Sequence, residues 1–303
     1  MSQTSTTAKR RIKIIANPIS GRGNASIIAK RAKEHLQRYG YEVELFETRQ
    51  RREARLIASS VSNCTNIVCI GGDGTINEVI NGLPDNPPPI SIIPTGTSNV
   101  LAKGLKLGRR IDHLAHQITN GNTKYIDVGI NTSSCQKFLS MAGAGFDAEV
   151  VHTLAERRKG TLRQMDYFLL GTQMLERYKP PTITVEIDGR TIERSSSLVE
   201  VANVNTFGGP LLFTPSAKID DGLFDVFIFR GSHNLDTARL LANGFFTYWS
   251  GGLVKIPNSY VVRGRNVALY SNDKVPLQLD GEAAGFLPAK FNVLEKAVKI
   301  TVS

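Results

Sequence analysis

The apolar positions of the first third of the chain switch repeatedly between a period of two and a helical period. Ile12 to Ile15 is a short apolar run that ends in Asn17-Pro18-Ile19-Ser20-Gly21-Arg22-Gly23. Ile28, Ala32, Leu36 and Tyr39 then recur on one helical face, with Asn24 placed to cap that helix and Gly40 to close it. Tyr41, Val43 and Leu45 alternate with Glu42 and Glu44 as in a half-buried strand, and a helix rich in Arg and Ala follows to about Ser60. Ile67-Val68-Cys69-Ile70 is apolar throughout, as a strand covered on both faces should be. Behind Gly71-Gly72-Asp73-Gly74-Thr75, the residues Ile76, Val79, Ile80 and Leu83 have helical spacing. After a break from Pro84 to Pro89, Ile90, Ile92 and Ile93 form another strand, and Pro94-Thr95-Gly96-Thr97-Ser98-Asn99 leads into one more helix. This alternation predicts a parallel sheet with helices on both faces.

From about Thr123 the pattern changes. Tyr125–Ile130, Phe138–Ala142, Thr182–Ile187, Leu198–Val204, Phe224–Phe229, Tyr260–Arg263, Val267–Tyr270, Val275–Leu279 and Phe291–Val293 are short strand candidates between turn residues. Asp188-Gly189 and Asp280-Gly281 are hairpin signals. One long helical region, from about Asp147 to Arg177, interrupts a mostly antiparallel β pattern. The expected organisation is a disordered lead over residues 1–10, an α/β domain over 11–124 and a β-rich domain over 125–297. Residues 298–303 make a possible return strand to the first domain.

Composition narrows the class. The 303 residues are 41% apolar and 21% charged, ordinary for a globular protein. No run of about 18 apolar residues occurs, so no membrane-spanning helix is expected. The polar, basic N-terminus reads as a lead and excludes a secretory signal. Cys64, Cys69 and Cys135 cannot build a disulfide framework or a four-ligand metal cage, which points to a reducing, cytoplasmic compartment. His35, His113, His116, His152 and His233 show no metal spacing. The net charge of +10 implies a partner or substrate of opposite sign: nucleic acid, nucleotide phosphates or an anionic lipid surface. The excess is concentrated between Lys9 and Arg55, where thirteen basic residues stand against five acidic ones.

Three glycine-rich turns, after Ile15, Ile70 and Ile93, each follow a strand and precede a helix. In a parallel sheet such turns share the edge at the carboxyl ends of the strands, where ligands bind. Each offers backbone N–H groups to a phosphate, and three on one edge suit a polyphosphate. The Walker pattern is absent. Gly143-Ala144-Gly145-Phe146-Asp147-Ala148 matches a loosened dinucleotide fingerprint but lies in the antiparallel half. Asp73 is a carboxylate among phosphate-directed amides; it suits a divalent cation between acid and phosphate, or an acid that takes a proton.

Asn17-Pro18-Ile19-Ser20-Gly21, Gly71-Gly72-Asp73-Gly74-Thr75 and Pro94-Thr95-Gly96-Thr97-Ser98-Asn99 resemble the catalytic domain of the diacylglycerol kinase and sphingosine kinase family. So do Gly143-Ala144-Gly145-Phe146-Asp147, Asp220-Asp221-Gly222-Leu223-Phe224-Asp225 and Asp280-Gly281-Glu282. The motifs come in the family's order from about Arg11 to Val302, and the length resembles its compact, soluble bacterial branch. The resemblance implies a phosphofructokinase- or NAD-kinase-like α/β domain with a parallel sheet, followed by a mostly antiparallel β-sandwich. It implies an ATP- and Mg²⁺-dependent lipid kinase acting on diacylglycerol or a similar alcohol in phospholipid metabolism.

By the same resemblance, ATP is bound by Thr48, by the turn Gly71, Gly72, Asp73, Gly74, Thr75, Ile76 and Asn77, and by Thr97, with Asn17 and Asn99 lining the cleft. Glu282 resembles the proton acceptor, with Asp280 nearby, although related lipid kinases give that duty to the residue matching Asp73. Lys218, Asp221 and Leu223 resemble a magnesium site of one carboxylate and two main-chain carbonyls. Thr206-Phe207-Gly208-Gly209-Pro210 departs from the family, which often has three glycines there.

Glu156-Arg157-Arg158-Lys159-Gly160 followed by Met165, Tyr167, Phe168, Leu169 and Leu170, and the cluster Phe245-Phe246-Thr247-Tyr248-Trp249, are candidates for peripheral contact with an anionic membrane. The same aromatics also suit a core. A second copy of the chain is admitted as a partner. Two other functions compete: a kinase of a small soluble acceptor such as NAD or a sugar phosphate, and a nucleic-acid-binding protein. The last rests on charge alone, without helix-turn-helix, zinc-finger or RNA-sheet signatures, so no nucleic acid is expected.

Overall fold

Two units, each with its own core, divide the chain after Ile126, and the stretch from Val298 onward rejoins the first. The computed structural model describes residues 10–157, 164–205, 213–250 and 256–302. The expected lead over 1–10 lies outside them except for its last residue.

The first unit runs β1 (Arg11–Ala16), α1 (Ala25–Arg38), β2 (Glu42–Glu47), α2 (Glu53–Ser59), β3 (Asn66–Gly71), α3 (Asp73–Gly82), β4 (Ile90–Pro94), α4 (Val100–Gly104) and α5 (Leu114–Asn120). The strands are parallel in the order β2-β1-β3-β4. Ile300, near the chain's end, pairs in parallel with Ile90 beyond β4. Every residue of β3 and β4 is buried, which is why Ile67–Ile70 reads as an unbroken apolar run and Ile90, Ile92 and Ile93 as a run broken only by Ser91.

The entry to α1 differs from the expectation. Asn24 is itself helical and makes no side-chain cap; a 3-10 turn over Ser20–Gly23 feeds the helix instead. The buried stripe is Ala25, Ala29, Ala32 and Leu36, whereas Tyr39 is 60% exposed. Small alanines let the helix lie close to Ile12, Ile14, Val68 and Ile70 of the sheet, and that contact selects the face.

The second unit contains most of β5 (Thr123–Asn131), then β6 (Gln136–Phe138), β7 (Met141–Gly145), α6 (Phe146–Arg157), α7 (Gln164–Met174), β8 (Ile183–Ile187), β9 (Arg190–Ser196), β10 (Leu198–Ala202), β11 (Phe224–Phe229), α8 (Asn234–Ser250), β12 (Ser259–Gly264), β13 (Asn266–Tyr270), β14 (Pro276–Leu279), β15 (Glu282–Phe286) and β16 (Ala289–Thr301) as far as Ala297. One antiparallel sheet has the order β12-β11-β10-β7-β14-β15. Facing it, β13 pairs with the first residues of β16 and with β8, and β8 pairs with β9. Val199, Val226 and Leu277 of one sheet and Val185, Leu269 and Phe291 of the other close the core of this sandwich. Phe138 stacks on Phe224 and meets Phe291 edge-on.

Two expectations are corrected here. The strand expected over Phe138–Ala142 is two, β6 and β7, because the N–H groups of Leu139, Ser140 and Met141 turn to the Asp280 carboxylate. Phe291–Val293 and residues 298–301 of the expected return strand belong to one long strand, β16, which bends at Lys296 (φ 50°) and gives that N–H to Asp127. Gly143 and Gly145 lie within β7, in the antiparallel half where the sequence places them. The helical region expected from Asp147 resolves into α6 and α7, and α8 was not anticipated. No helix among the described residues is long and apolar enough to cross a membrane.

Candidate active site

The carboxyl ends of β1, β3 and β4 bring their three turns into contact. Asn17 gives its backbone N–H to Ile70 (2.9 Å) and its side-chain amide to the Thr75 hydroxyl (3.3 Å). Thr95 gives its N–H to the Gly71 carbonyl (2.8 Å) and its hydroxyl to Ser20 (2.9 Å). A Cβ on Gly96 would lie 2.5 Å from the Gly72 Cα, so these two backbones touch at a distance only glycine allows. Asn99 gives its side-chain amide to the Gly96 carbonyl at 2.6 Å and is 2% exposed.

From this edge α3 starts at Asp73, with Gly72 extended just before it. The N–H groups of Gly72, Asp73 and Gly74 open the helix without a side-chain cap, the arrangement that receives an anion. Asp73 is half-buried in the first turn, where the helix dipole favours its charge. Thr48 joins the edge at the end of β2 through its N–H on Ala16. The edge therefore collects Asn17, Thr48, Gly71, Gly72, Asp73, Gly74, Thr75 and Asn99, with Thr97 exposed beside them. Ile76 is fully buried, so only its main chain can serve a ligand.

In the second unit, Asp280 and Gly281 form a tight turn with φ of 49° and 78°, the mirror-image hairpin type that Asp-Gly favours. The Asp280 carboxylate accepts N–H groups from Leu139 (2.8 Å), Ser140 (2.7 Å) and Met141 (3.0 Å). Such a carboxylate anchors the turn. Glu282 follows at the start of β15, half-buried.

Of the Lys218, Asp221 and Leu223 donors expected for a metal, the one side-chain donor, the Asp221 carboxylate, is already engaged. One Asp221 oxygen is held by the Arg263 guanidinium, and the other accepts the Leu223 N–H at 3.3 Å. Among the described residues no group of three or more His, Cys, Asp or Glu side chains converges as a metal ion requires.

Sequence reasoning missed four side chains that shape these turns. Asp127, 1% exposed, accepts the N–H of Gly222 and that of Lys296, both at 2.7 Å. An aspartate inside the apolar run Tyr125–Ile130 was the available signal. Gln278 is fully buried and accepts the Gly281 N–H at 2.8 Å. Glu200 lies against Asp147 and Gln278, and burial followed by the Asp147 charge pushes its carboxyl well above the ordinary range. Arg263 pairs with Asp221 and Asp225. Only tertiary pairing reveals the last three.

Of the candidate membrane residues, Leu169 is 53% exposed and Leu170 is buried. Arg158, Lys159 and Gly160, Thr206–Pro210, and the side chains of Met165, Tyr167, Phe168 and Phe245–Trp249 lie outside the described residues.

One chain thus carries a glycine-lined edge on a parallel sheet and a sandwich bearing an anchored Asp-Gly-Glu turn, and the comparisons with known proteins give this arrangement a family. Residues 11–130 match the diacylglycerol kinase catalytic domain, and residues 140–302 match the YegS C-terminal NAD kinase beta sandwich-like domain. The chain belongs to the family that these two domains define, and it is an enzyme of the lipid-kinase class. A diacylglycerol kinase of Bacillus subtilis (strain 168) is 31% identical over 97% of this chain and 96% of its own length. One from Staphylococcus carnosus (strain TM300) is 26% identical over 96% and 95%. The crystal structure of a diacylglycerol kinase from Bacillus anthracis str. Sterne has the same fold, with a TM-score of 0.72 and 21% identity over 98% of each chain.

Proposed function

We propose that the enzyme transfers the γ-phosphoryl group of ATP to the hydroxyl of diacylglycerol or a similar long-chain alcohol, within phospholipid metabolism. The observation that carries this reading is the meeting of the three turns on one sheet edge, with the start of α3 opening from it. Nearly full-length similarity to proteins named diacylglycerol kinase supports the choice of acceptor.

ATP enters as its Mg²⁺ complex, so that metal is part of the substrate. Phosphoryl transfer asks the protein mainly for positioning and charge neutralisation. The N–H groups of Gly72, Asp73 and Gly74 hold phosphate oxygens; Asn17, Thr48, Thr97 and Asn99 shape the edge around the nucleotide, and Asp73 orients the reacting groups. Glu282 accepts the proton of the acceptor hydroxyl. A carboxylate is a far weaker base than an alkoxide, so the proton moves late, as the phosphoryl group arrives. Asp280 serves as the anchor that fixes Glu282's turn.

The basic surplus suits an anionic membrane surface, each Lys or Arg near the surface being worth about 1 kcal/mol. The enzyme then works as a peripheral protein at the cytoplasmic face of a membrane. A product-identifying screen tests the acceptor: labelled γ-phosphate should enter diacylglycerol, sphingoid base, ceramide, polyprenol or phosphatidylglycerol in mixed micelles. Labelling of NAD or a sugar phosphate without detergent, and of none of these lipids, would replace the reading with a soluble-acceptor kinase.

A further inference from the structure

We infer that Arg263 is the resident cation of the Asp221 turn, holding with a guanidinium what the family resemblance assigns to a magnesium ion.

Arg263 on β12 stands directly opposite Asp225 on β11 in the strand register. Its Nε donates to Asp225 Oδ2 at 3.1 Å, and its Nη2 pairs with Asp221 Oδ2. The remaining oxygens are engaged as well: Asp225 Oδ1 accepts the Ser216 hydroxyl at 2.9 Å, and Asp221 Oδ1 accepts the Leu223 N–H at 3.3 Å. The turn between them is tied from below, with the Gly222 N–H on Asp127 and the Asp127 N–H on the Ile219 carbonyl, both 2.7 Å. One guanidinium thus bridges both carboxylates and closes the turn.

The charges explain why a divalent ion is not needed. The Asp225 side chain is wholly buried, and a buried carboxylate requires a cationic or fully hydrogen-bonded partner. Arg263 supplies it, and the bond to Asp221 raises the guanidinium's pKa further above its ordinary range. Magnesium demands near-octahedral oxygen ligands at about 2.1 Å. To bind Asp221 it would either have to sit beside the Arg263 guanidinium, setting two positive groups against one carboxylate, or displace it and strip Asp225 of its partner. The consequence is a separation of two dependences. The turn stands without divalent metal, while transfer still requires the Mg²⁺ that accompanies ATP.

The test uses the full chain without nucleotide. Thermal unfolding of the wild-type protein should have the same midpoint in EDTA and in excess Mg²⁺. Mn²⁺ titrated by electron paramagnetic resonance should find no saturable site that depends on Asp221. Arg263→Met should lower the midpoint by several degrees in EDTA. Mg²⁺ should restore part of that loss, because the acids then lack their cation, and the restoration should vanish when Asp221→Asn is added. A general loss of packing would show no such metal rescue. Saturable Mn²⁺ binding to the wild type would overturn the inference if Asp221→Asn, shown by circular dichroism to be folded, abolishes it. Arg263→Met as stable as wild type in EDTA would overturn it too. None of these readouts involves lipid or transfer, so the inference and the proposed activity fail separately.

Discussion

Gln278 receives the backbone N–H of Gly281 on its side-chain oxygen at 2.8 Å, inside the turn that carries Glu282. Its nitrogen faces the place where a Gly143 side chain would stand, 2.7 Å from that absent Cβ, with Glu200 on the same spot. Strand register explains the convergence: Glu200, Gly143 and Gln278 lie side by side across β10, β7 and β14. The proposed proton acceptor therefore stands on a turn braced from beneath by a buried amide.

Replacing Gln278 with Met keeps the volume and removes the acceptor. We expect a loss of about 1–3 kcal/mol in unfolding free energy, the cost of stranding a partly buried donor. Turnover should fall while the KM for ATP stays near wild type, since the nucleotide edge is untouched. An unchanged kcat would show that the brace does not position Glu282.

The two acids of the turn should separate by experiment. Glu282→Gln should abolish turnover and leave the unfolding midpoint in place. Asp280→Ala should cost roughly 2 kcal/mol or more, because three amides lose a charged acceptor. Calorimetry beside a transfer assay checks both; a destabilised Glu282→Gln or a fully stable Asp280→Ala contradicts the assignment.

Gly96→Ala should push the β3 and β4 turns apart, costing about 1–3 kcal/mol by overpacking and weakening ATP binding at least tenfold. Gly74→Ala is the stability control, because an added Cβ there meets nothing within 4 Å. Nucleotide titration and chemical denaturation read the two effects. Equal behaviour of the two variants would mean that the close approach is unimportant.

The alternation that marks a parallel sheet was legible because β3 and β4 are covered on both faces and hence mostly apolar. The Asp-Gly hairpins were legible because positive φ at both turn positions restricts residue choice. Where tertiary contact overrides local pattern, legibility ended. The stripe on α1 moved to Ala25, Ala29 and Ala32 because small residues permit close docking, and the break at Leu139-Ser140 comes from an acid 140 residues further on. The glycine turns of the candidate site stood out as motifs. Their supports, Gln278, Glu200, Asp127 and Arg263, did not, because each finds its partner across strands or from distant chain.

Glu200 makes stability depend on pH. Its folded pKa is raised by burial and then by Asp147, so the folded state keeps a proton that the unfolded chain releases above about pH 4.5. The penalty is absent below that pH and grows as pH rises towards the raised value, by at most about 1.4 kcal/mol per unit. Glu200→Gln cannot ionise, so its stability relative to wild type should increase from pH 5 to pH 8 in urea titrations. A pH-independent difference would mean that Glu200 ionises normally in the fold.

The most direct test is the transfer itself. Wild-type enzyme and Glu282→Gln are given labelled ATP, Mg²⁺ and diacylglycerol in mixed micelles, and the lipid product is identified. Wild type should form phosphatidic acid, faster as anionic lipid is added, and the variant should form none. No labelled lipid from the wild type, or near-normal product from Glu282→Gln, would contradict the account.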